Sequence, residues 1–232
     1  MAAAWQTVAE MQTRDLVRRR AAVLLLAGLP MTWYVAEAAS GVSYAVGTGV
    51  LGMAWSAAAA ALFAVLGARR VDQRLVQAGY RPRDLVVGRL VALLGISTLL
   101  AVLFGVVMTI GSRPARVGDV FLALLLTTVV STPMGWLIAA LVPRELEGTL
   151  LLIGLVGLQV SIPIGGPEWL VPYWAPLRLT DYDRSPIGPG WPILHALAWA
   201  VLIAVVAIAL WRRRVQVRDS TTGRRGSVLT AR

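Results

Sequence analysis

Long apolar runs alternate with short polar stretches along most of this chain, and the alternation predicts helices that cross a membrane. Six runs approach or exceed the roughly 20 residues that a helix needs to span the hydrocarbon core. They lie at residues 21–39, 48–68, 85–110, 119–142, 148–164 and 191–211. We therefore predict an all-α integral membrane protein with six transmembrane helices, the fifth being the shortest.

The segments outside the six runs complete the predicted organisation. Residues 1–20 place apolar side chains at helical spacing from Trp5 to Val17, with arginines among and after them. This pattern is typical of an amphipathic helix in the membrane interface. Residues 21–211 make up the transmembrane domain. Residues 212–232 are basic and contain Gly, Ser and Thr, which predicts a disordered tail beyond about residue 219.

Arginine is unequally distributed between the two sides of the predicted membrane domain. Six spans place both termini on one side, with the stretch 69–90 and the turn at Arg144, and that side holds 18 of the 22 arginines. The opposite side holds 4. Basic residues near the ends of spans mark the cytoplasmic side, so we predict that both termini are cytoplasmic.

Composition excludes several kinds of chemistry. All 22 basic residues are arginine, so the chain lacks the lysine of a phosphate-binding loop and is not expected to hydrolyse ATP itself. It has no cysteine, which excludes disulfides, thiolate metal sites and cysteine nucleophiles. His195 is the single histidine. We therefore predict no catalytic residue, no metal and no cofactor in this chain.

The charged stretch between the second and third runs has an internal order of its own. On a helix from Arg69 to Ala78, polar residues such as Asp72 cover every face but one. The remaining face is an apolar ridge of Val71, Leu75 and Ala78. Gly79 and Pro82 are placed to end that helix, and Asp84 is placed to cap the next. We predict a short amphipathic helix along the cytoplasmic face, joined stiffly to spans two and three.

Two roles fit this charged helix. In the first, it rests on lipid headgroups as a positively charged loop that only fixes the topology. In the second, it docks against a soluble partner. Its ridge, stop, turn and cap provide more order than a topogenic loop requires, and this favours docking.

Taken together, these features resemble the membrane subunit of an ATP-binding-cassette (ABC) exporter of the ABC-2 type, over essentially the whole chain. The marks are the N-terminal helix, the six spans and three stretches of sequence. These are RLVQAGYRPRDLVVGRL (74–90), LVPRELEGTLLLIGLVGLQ (141–159) and VPYWAPLRLTDYD (171–183). The resemblance implies that the helix between spans two and three is a coupling helix, and that a re-entrant segment joins spans five and six.

The resemblance also implies partners and a location. Two copies of a separate ABC ATPase would bind ATP and Mg, and a second permease subunit, identical or homologous, would complete the pathway across the bilayer. No nucleic acid is expected. The implied function is outward transport across a bacterial inner membrane. Abundant arginine, alanine and glycine, which suggest a GC-rich bacterial genome, agree with that location.

The residues expected to couple to the ATPase lie in the charged stretch and in the turn after span four. They are Arg70, Val71, Arg74, Leu75, Ala78, Arg81, Arg83, Glu145 and Glu147. The two glutamates have two interpretations. They either stabilise a helix N-terminus through its dipole, or they pair with arginines of the docking stretch.

Polar and aromatic residues in or near the outer halves of the spans are candidates for a pathway or gate. They are Glu37, Gln159, Ser161, Glu168, Trp169, Trp174 and His195. Each has a structural alternative. Glu37 reaches interfacial water, Gln159 and Ser161 form hydrogen bonds between helices, and the tryptophans anchor the interface.

His195 also raises the question of an intramembrane serine protease, which would pair a serine on span four with a histidine on span six. Ser131 lies in VVSTPMG, without the glycine-flanked surroundings of such a nucleophile. We therefore expect His195 one turn inside the outer interface, hydrogen-bonded to a neighbouring span.

Two other functional classes are compatible with a basic membrane protein. One is a non-transporting anchor or assembly protein whose basic face recruits an acidic cytoplasmic partner. The other is a secondary transporter, which typically carries an inverted repeat between its halves. No such repeat is evident here.

The arginine distribution predicts the side on which the charged stretch lies. The chain has no cysteine, so Gln77→Cys creates a single reactive thiol. In intact cells this thiol should resist a membrane-impermeant maleimide and react only after the membrane is opened. Labelling from outside would contradict the predicted topology.

Overall fold

The computed structural model describes residues 3–18, 20–40, 45–160, 168–181 and 187–226, and the regular structure in this part of the chain is entirely helical. This agrees with the predicted all-α class. The helices are α1 (Ala4–Arg18), α2 (Arg20–Ala39), α3 (Ala45–Gln77), α4 (Pro82–Ser112), α5 (Val117–Leu141), α6 (Glu145–Val160), a 3₁₀ turn (Glu168–Leu170), α7 (Trp174–Thr180) and α8 (Gly190–Gly226).

α3 and α5 form the centre of the helical bundle. Their apolar windows are 78% and 72% buried, whereas those of α4 and α8 are 33% and 22% buried. A helix that is apolar on all sides is covered on all sides by its neighbours, and α5 contacts α3, α4, α7 and α8. The exposed sides of α4 and α8 carry leucine, valine and isoleucine, which suit contact with lipid tails.

Small residues bring the central helices into backbone contact. Gly135 of α5 lies directly against the carbonyl oxygen of Ala58 on α3, where a Cβ atom would overlap that oxygen. Gly52 of α3 receives α2 in the same way, because a Cβ there would stand 2.6 Å from the Pro30 Cα atom. Close approach of this kind provides the van der Waals contact that holds helices together in lipid.

Four of the described helices are long and apolar enough to cross a membrane. The stretches are Ala45–Arg69, Pro82–Ser112, Val117–Leu141 and Gly190–Arg213. They correspond to the predicted spans two, three, four and six. α2, with 20 residues, and α6, with 16, occupy the positions of the first and fifth runs but are not among these four.

The charged stretch does not form a helix of its own, so this part of the prediction is wrong. α3 continues without interruption from Ala45 to Gln77, and Arg69 to Gln77 are its last turns. Residues 68–78 contain neither proline nor glycine. Nothing in the backbone therefore interrupts the hydrogen-bond ladder where the composition changes from apolar to charged.

The apolar face of α1, from which an interfacial helix is predicted, packs partly against other helices of the protein. Val8, Gln12 and Leu16 are buried, and α1 contacts α4 more than any other helix. Gly88 of α4 permits the contact, because a Cβ there would stand 2.5 Å from the Trp5 carbonyl oxygen. Met11 and Val17, which belong to the same apolar face, remain exposed.

Two predictions concern the end of the chain, a re-entrant segment before the last span and a disordered tail after it. Between α6 and α8, the described residues form a 3₁₀ turn and the short helix α7, which packs against α5 and α8. α8 continues as helix to Gly226, although the composition predicts disorder beyond about residue 219. No proline follows Pro192, so the helix that begins at Gly190 extends into the tail.

The contact between α3 and α5 predicts a sharp difference between two glycines. Gly135→Ala places a methyl group against the Ala58 backbone, and we expect it to cost at least about 1–3 kcal/mol because the backbone must shift. Gly95→Ala is the control, since a Cβ there meets nothing within 4 Å. Apparent melting temperatures in detergent measure both. Equal melting temperatures for the two variants would contradict the close packing.

Candidate functional site: the α3–α4 arm

The α3–α4 arm, residues 69–90, comprises the last turns of α3, the connecting turn and the first turns of α4. α3 ends in a Schellman motif, in which the Tyr80 amide donates to the Leu75 carbonyl and the Gly79 amide to the Val76 carbonyl, both at 3.0 Å. Gly79 has a φ of 94°, where a residue without Cβ is favoured. Pro82 then begins α4. The predicted stop at Gly79 and break at Pro82 are confirmed.

The predicted N-cap at Asp84 is wrong. α4 begins earlier, with Arg81 at the N-cap position, and the Arg81 side chain makes no capping hydrogen bond. Asp84 lies in the first turn instead, where its charge still favours the helix N-terminus. Its carboxylate lies 3.8 Å from the Arg83 side chain. Proline suits the first helical position, and this sets the helix start ahead of the aspartate.

A buried ion pair joins the two helices of the arm. Both terminal nitrogens of Arg89 donate hydrogen bonds to the two carboxylate oxygens of Asp72. The side chains of Asp72 and Arg89 are only 2% and 4% exposed. Burial raises the pKa of the Asp72 carboxyl, and the bonds from Arg89 act against that rise. A bidentate pair restricts orientation as well as distance, so it holds α3 and α4 in one register.

Arg69 connects the base of the arm to the end of α5. Its guanidinium donates hydrogen bonds to the carbonyl oxygens of Ala139, of Val142 at 3.4 Å and of Pro143 at 3.3 Å. The last carbonyls of a helix lack partners within the helix and carry its partial negative charge. A cation at this position therefore satisfies them and holds the α5–α6 turn against α3.

The outer surface of the arm combines apolar and basic groups. Its exposed side chains include those of Val71, Arg74, Ala78, Arg81 and Arg83. Val71 is 46% exposed, whereas Leu75 is half-buried. The predicted ridge is therefore accessible at its two ends and partly covered in its middle. The backbone of Arg70 lies in α3, and its side chain is outside the described residues.

The two glutamates of the α5–α6 turn do not reach the arm. The Glu147 carboxylate pairs with Arg144 of its own turn at 2.7 Å, and both side chains are at least half exposed. This ion pair raises the pKa of Arg144. Glu145 is exposed in the first turn of α6, where the helix dipole favours an acid. Of the two interpretations, the structure supports the dipole one.

A second polar cluster lies at the far end of α6. The Gln159 side chain accepts a hydrogen bond from the Tyr173 amide at 3.1 Å and donates to the Leu155 carbonyl at 3.0 Å. The Tyr173 hydroxyl, which is buried, pairs with the Ser131 hydroxyl of α5 at 2.8 Å. This cluster ties α5 and α6 to the segment that precedes α7.

His195 belongs to the same region, but its partner differs from the prediction. Its Nε2 atom bonds to the Trp169 carbonyl at 2.7 Å rather than to a neighbouring span, and its ring lies 5.1 Å from that of Trp174. A carbonyl only accepts, so Nε2 carries the proton. Among the described contacts Nδ1 has no partner. Because Ser131 bonds to Tyr173, these contacts contain no serine–histidine pair.

For the remaining candidate pathway residues, the structure gives the element in which each lies and the exposure of some side chains. Glu37 is half-buried in the last turn of α2. Trp169 is 57% exposed and Trp174 is half-buried. Glu168 opens the 3₁₀ turn, with an undescribed side chain, and Ser161 lies outside the described residues. Within the described part of the chain, His, Asp and Glu residues form no group of three that suits a metal ion.

Sequence reasoning missed the residues with the strongest contacts. Asp72 was expected on an exposed polar face, and Arg69, Arg89 and Tyr173 were not singled out. One signal was available, because Arg89 follows the apolar sequence LVVG and falls inside the third predicted span. An ionisable residue in a span normally has a partner, and this rule directs attention to a nearby acid.

The buried ion pair predicts a specific stability pattern. Arg89→Met leaves the Asp72 carboxylate buried without a partner, and we expect a loss of about 3–5 kcal/mol. Combining it with Asp72→Leu removes both charges and should recover most of that loss. Arg144→Met is the control, because its exposed pair contributes at most about 1 kcal/mol. Thermal unfolding in detergent tests this, and a double variant no more stable than Arg89→Met alone would contradict the pair.

Comparison with known proteins shows to which family the chain belongs. A family model described as ABC-2 type transporter matches residues 8–162, which takes in most of α1 and all of α2 to α6, with the arm and the α5–α6 turn. No curated protein matches the chain. In this family the membrane domain is the permease part of the transporter, the non-catalytic partner of an ABC ATPase. The resemblance is confirmed over these residues: this chain belongs to the ABC-2 type transporter family, as a multi-pass membrane permease subunit.

Proposed function

We propose that this permease works in an ABC exporter and that the ATPase docks on the α3–α4 arm. The observation that carries the proposal is the arm itself, which presents Val71 and exposed arginines on two helices braced by a buried ion pair. An apolar residue in a basic surround suits a groove with an acidic rim, because burial supplies affinity and charge supplies orientation. A braced arm moves as a unit when its partner moves.

The coupling surface in this proposal follows the exposed side of the arm. Val71 and Ala78 enter the partner, with Leu75 between them, while Arg70, Arg74, Arg81 and Arg83 orient the contact. Glu145 and Glu147 lie at its edge, on the turn that Arg69 holds. The ATPase subunit supplies the ATP and Mg chemistry.

The proposed assembly has two permease subunits, identical or homologous, and two ATPases in a bacterial inner membrane. α2 and α6 serve as the first and fifth spans, giving six spans with both termini in the cytoplasm. The arginine distribution supports this orientation. α6 is roughly 24 Å long, so the bilayer must thin beside it, or its ends must extend, to match a core of about 30 Å.

The candidate gate residues acquire distinct roles in this scheme. Gln159, Trp174 and His195 hold the 168–181 segment to α6 and α8, so they act as structural ties of an outer gate. Glu37 and Trp169 expose part of their surface and are candidates for the pathway itself. Ser161 and Glu168 are proposed for the same pathway on sequence grounds.

Docking on the arm predicts an effect of charge at Val71. Val71→Asp puts an unpaired carboxylate into a packed interface, and we expect a loss of about 2 kcal/mol or more, a factor of about 30 in affinity. Val71 is 46% exposed, so the variant should still accumulate in the membrane. Co-purification of the co-expressed ATPase, with transport-linked ATP hydrolysis, measures the effect.

The matched control is Gln77→Asp, which adds the same charge at an exposed polar position away from the ridge. It should retain the ATPase. If the arm only fixed topology, or if the chain were an anchor for an acidic partner, Val71→Asp and Gln77→Asp would behave alike. Full ATPase retention by Val71→Asp would contradict docking on the arm.

A further inference from the structure

α6 has contacts of different kinds at its ends and along its middle. Its first residue, Glu145, lies two positions after Pro143, whose carbonyl oxygen accepts a hydrogen bond from Arg69. Near its last residue, Gln159 holds the Tyr173 amide. Between the two, Leu150, Ile153 and Leu158 are 61%, 52% and 65% exposed. A Cβ at Gly154 would meet nothing within 4 Å. On the other face, Leu152 and Val156 are buried in the bundle. α6 is thus tied at both ends and packed along one face, and its other face is open.

α6 is also suited to transmit a displacement along its axis. Its 16 residues contain no proline, so the hydrogen-bond ladder is uninterrupted over roughly 24 Å. By contrast α5, beside it, is enclosed by α3, α4, α7 and α8 and packed backbone to backbone at Gly135. Movement of the arm therefore meets less resistance along α6 than along α5.

We propose that Arg69 is a positioning residue through which α6 transmits movement of the α3–α4 arm to the 168–181 segment. This inference rests on the proposed docking of the ATPase on the arm. When the arm moves, Arg69 draws the end of α5 and the α5–α6 turn with it through the carbonyl groups of Ala139, Val142 and Pro143. The middle of α5 is held by its close packing at Gly135, so the displacement passes through the turn into α6. α6 then shifts lengthwise, and Gln159 passes the shift to Tyr173.

At the Gln159 end of α6, this shift changes the contacts of Tyr173. Tyr173 is held by two helices at once, through its amide to Gln159 on α6 and through its hydroxyl to Ser131 on α5. If α6 moves while α5 stays, both bonds cannot persist in their present geometry. The segment from the 3₁₀ turn to α7 must then rotate or part from α5. Arg69 and Gln159 therefore make the two contacts, one at each end of α6, through which the displacement passes.

The test needs no knowledge of the transported substrate. The full chain with its ATPase is reconstituted in lipid nanodiscs, with Leu170→Cys as a single reporter on the 3₁₀ turn, where Leu170 is 49% exposed. The labelling rate by a hydrophilic maleimide is measured without nucleotide and with ATP plus vanadate. Arg69→Gln, Arg69→Lys and Gln159→Leu are compared with the parent and with Arg212→Gln, which alters an exposed arginine of α8.

We expect the parent and Arg212→Gln to change labelling rate with nucleotide. Arg69→Gln and Gln159→Leu should reduce that change by about five-fold or more, while ATPase binding and ATP hydrolysis persist. Arg69→Lys should recover part of it, because one cation still reaches the carbonyl groups. A residue that only stabilised the fold would lower binding and hydrolysis as well.

Several results would overturn the proposed transmission of movement through α6. These are an undiminished change in Arg69→Gln, loss of ATPase binding in that variant, or no nucleotide response in a parent complex that binds and hydrolyses ATP. If Arg69→Gln does not accumulate, Gln159→Leu decides, since it alters only the contact at the other end of α6. A parent chain that binds no ATPase would instead refute the proposed function, whatever the Arg69 variants do.

Discussion

The buried ion pair between Asp72 and Arg89 is the constraint on which the geometry of the arm depends. Two charges removed from water are tolerated only while each satisfies the other, so α3 and α4 must keep the register in which their oxygen and nitrogen atoms meet. The neighbouring Gly88 receives the backbone of α1 at Trp5. One turn of α4 therefore fixes α3 through charge and α1 through close packing.

Away from this turn, the bundle is held by two other kinds of contact. Its middle depends on small residues, because helices surrounded by lipid gain little from burying apolar surface and associate through close contact. Gly135 against Ala58 is the tightest example. Its ends depend on polar side chains that satisfy backbone groups of other elements, as Arg69 does for α5 and Gln159 for the Tyr173 amide.

This division of contacts suits a permease. In this family the membrane domain is the permease part and is not itself catalytic. In the function that we propose, it has to move one face of the membrane domain in response to the other. Close contacts in the middle hold α3 and α5 in place, whereas α6 has an open face. Directional polar contacts at the ends specify which elements move together in the mechanism that we infer. The arm, Arg69, α6 and Gln159 form the chain of such contacts that we infer.

The sequence by itself determined the helical class, the positions of the apolar runs, the stop at Gly79, the break at Pro82 and the family. All of these follow from local composition, backbone stereochemistry or a recognisable order of motifs. It misjudged the continuity of α3, because a change from apolar to charged residues resembles a boundary although no residue there breaks a helix.

Only the tertiary structure decided which polar residues are buried and with what. Asp72 and Arg89 are 17 positions apart on different helices, and Gln159 and Tyr173 are 14 apart across a connecting segment. Whether such side chains meet depends on the rotation and register of two packed elements. A local pattern specifies the face on which a residue lies, but only the packed bundle specifies what that face meets.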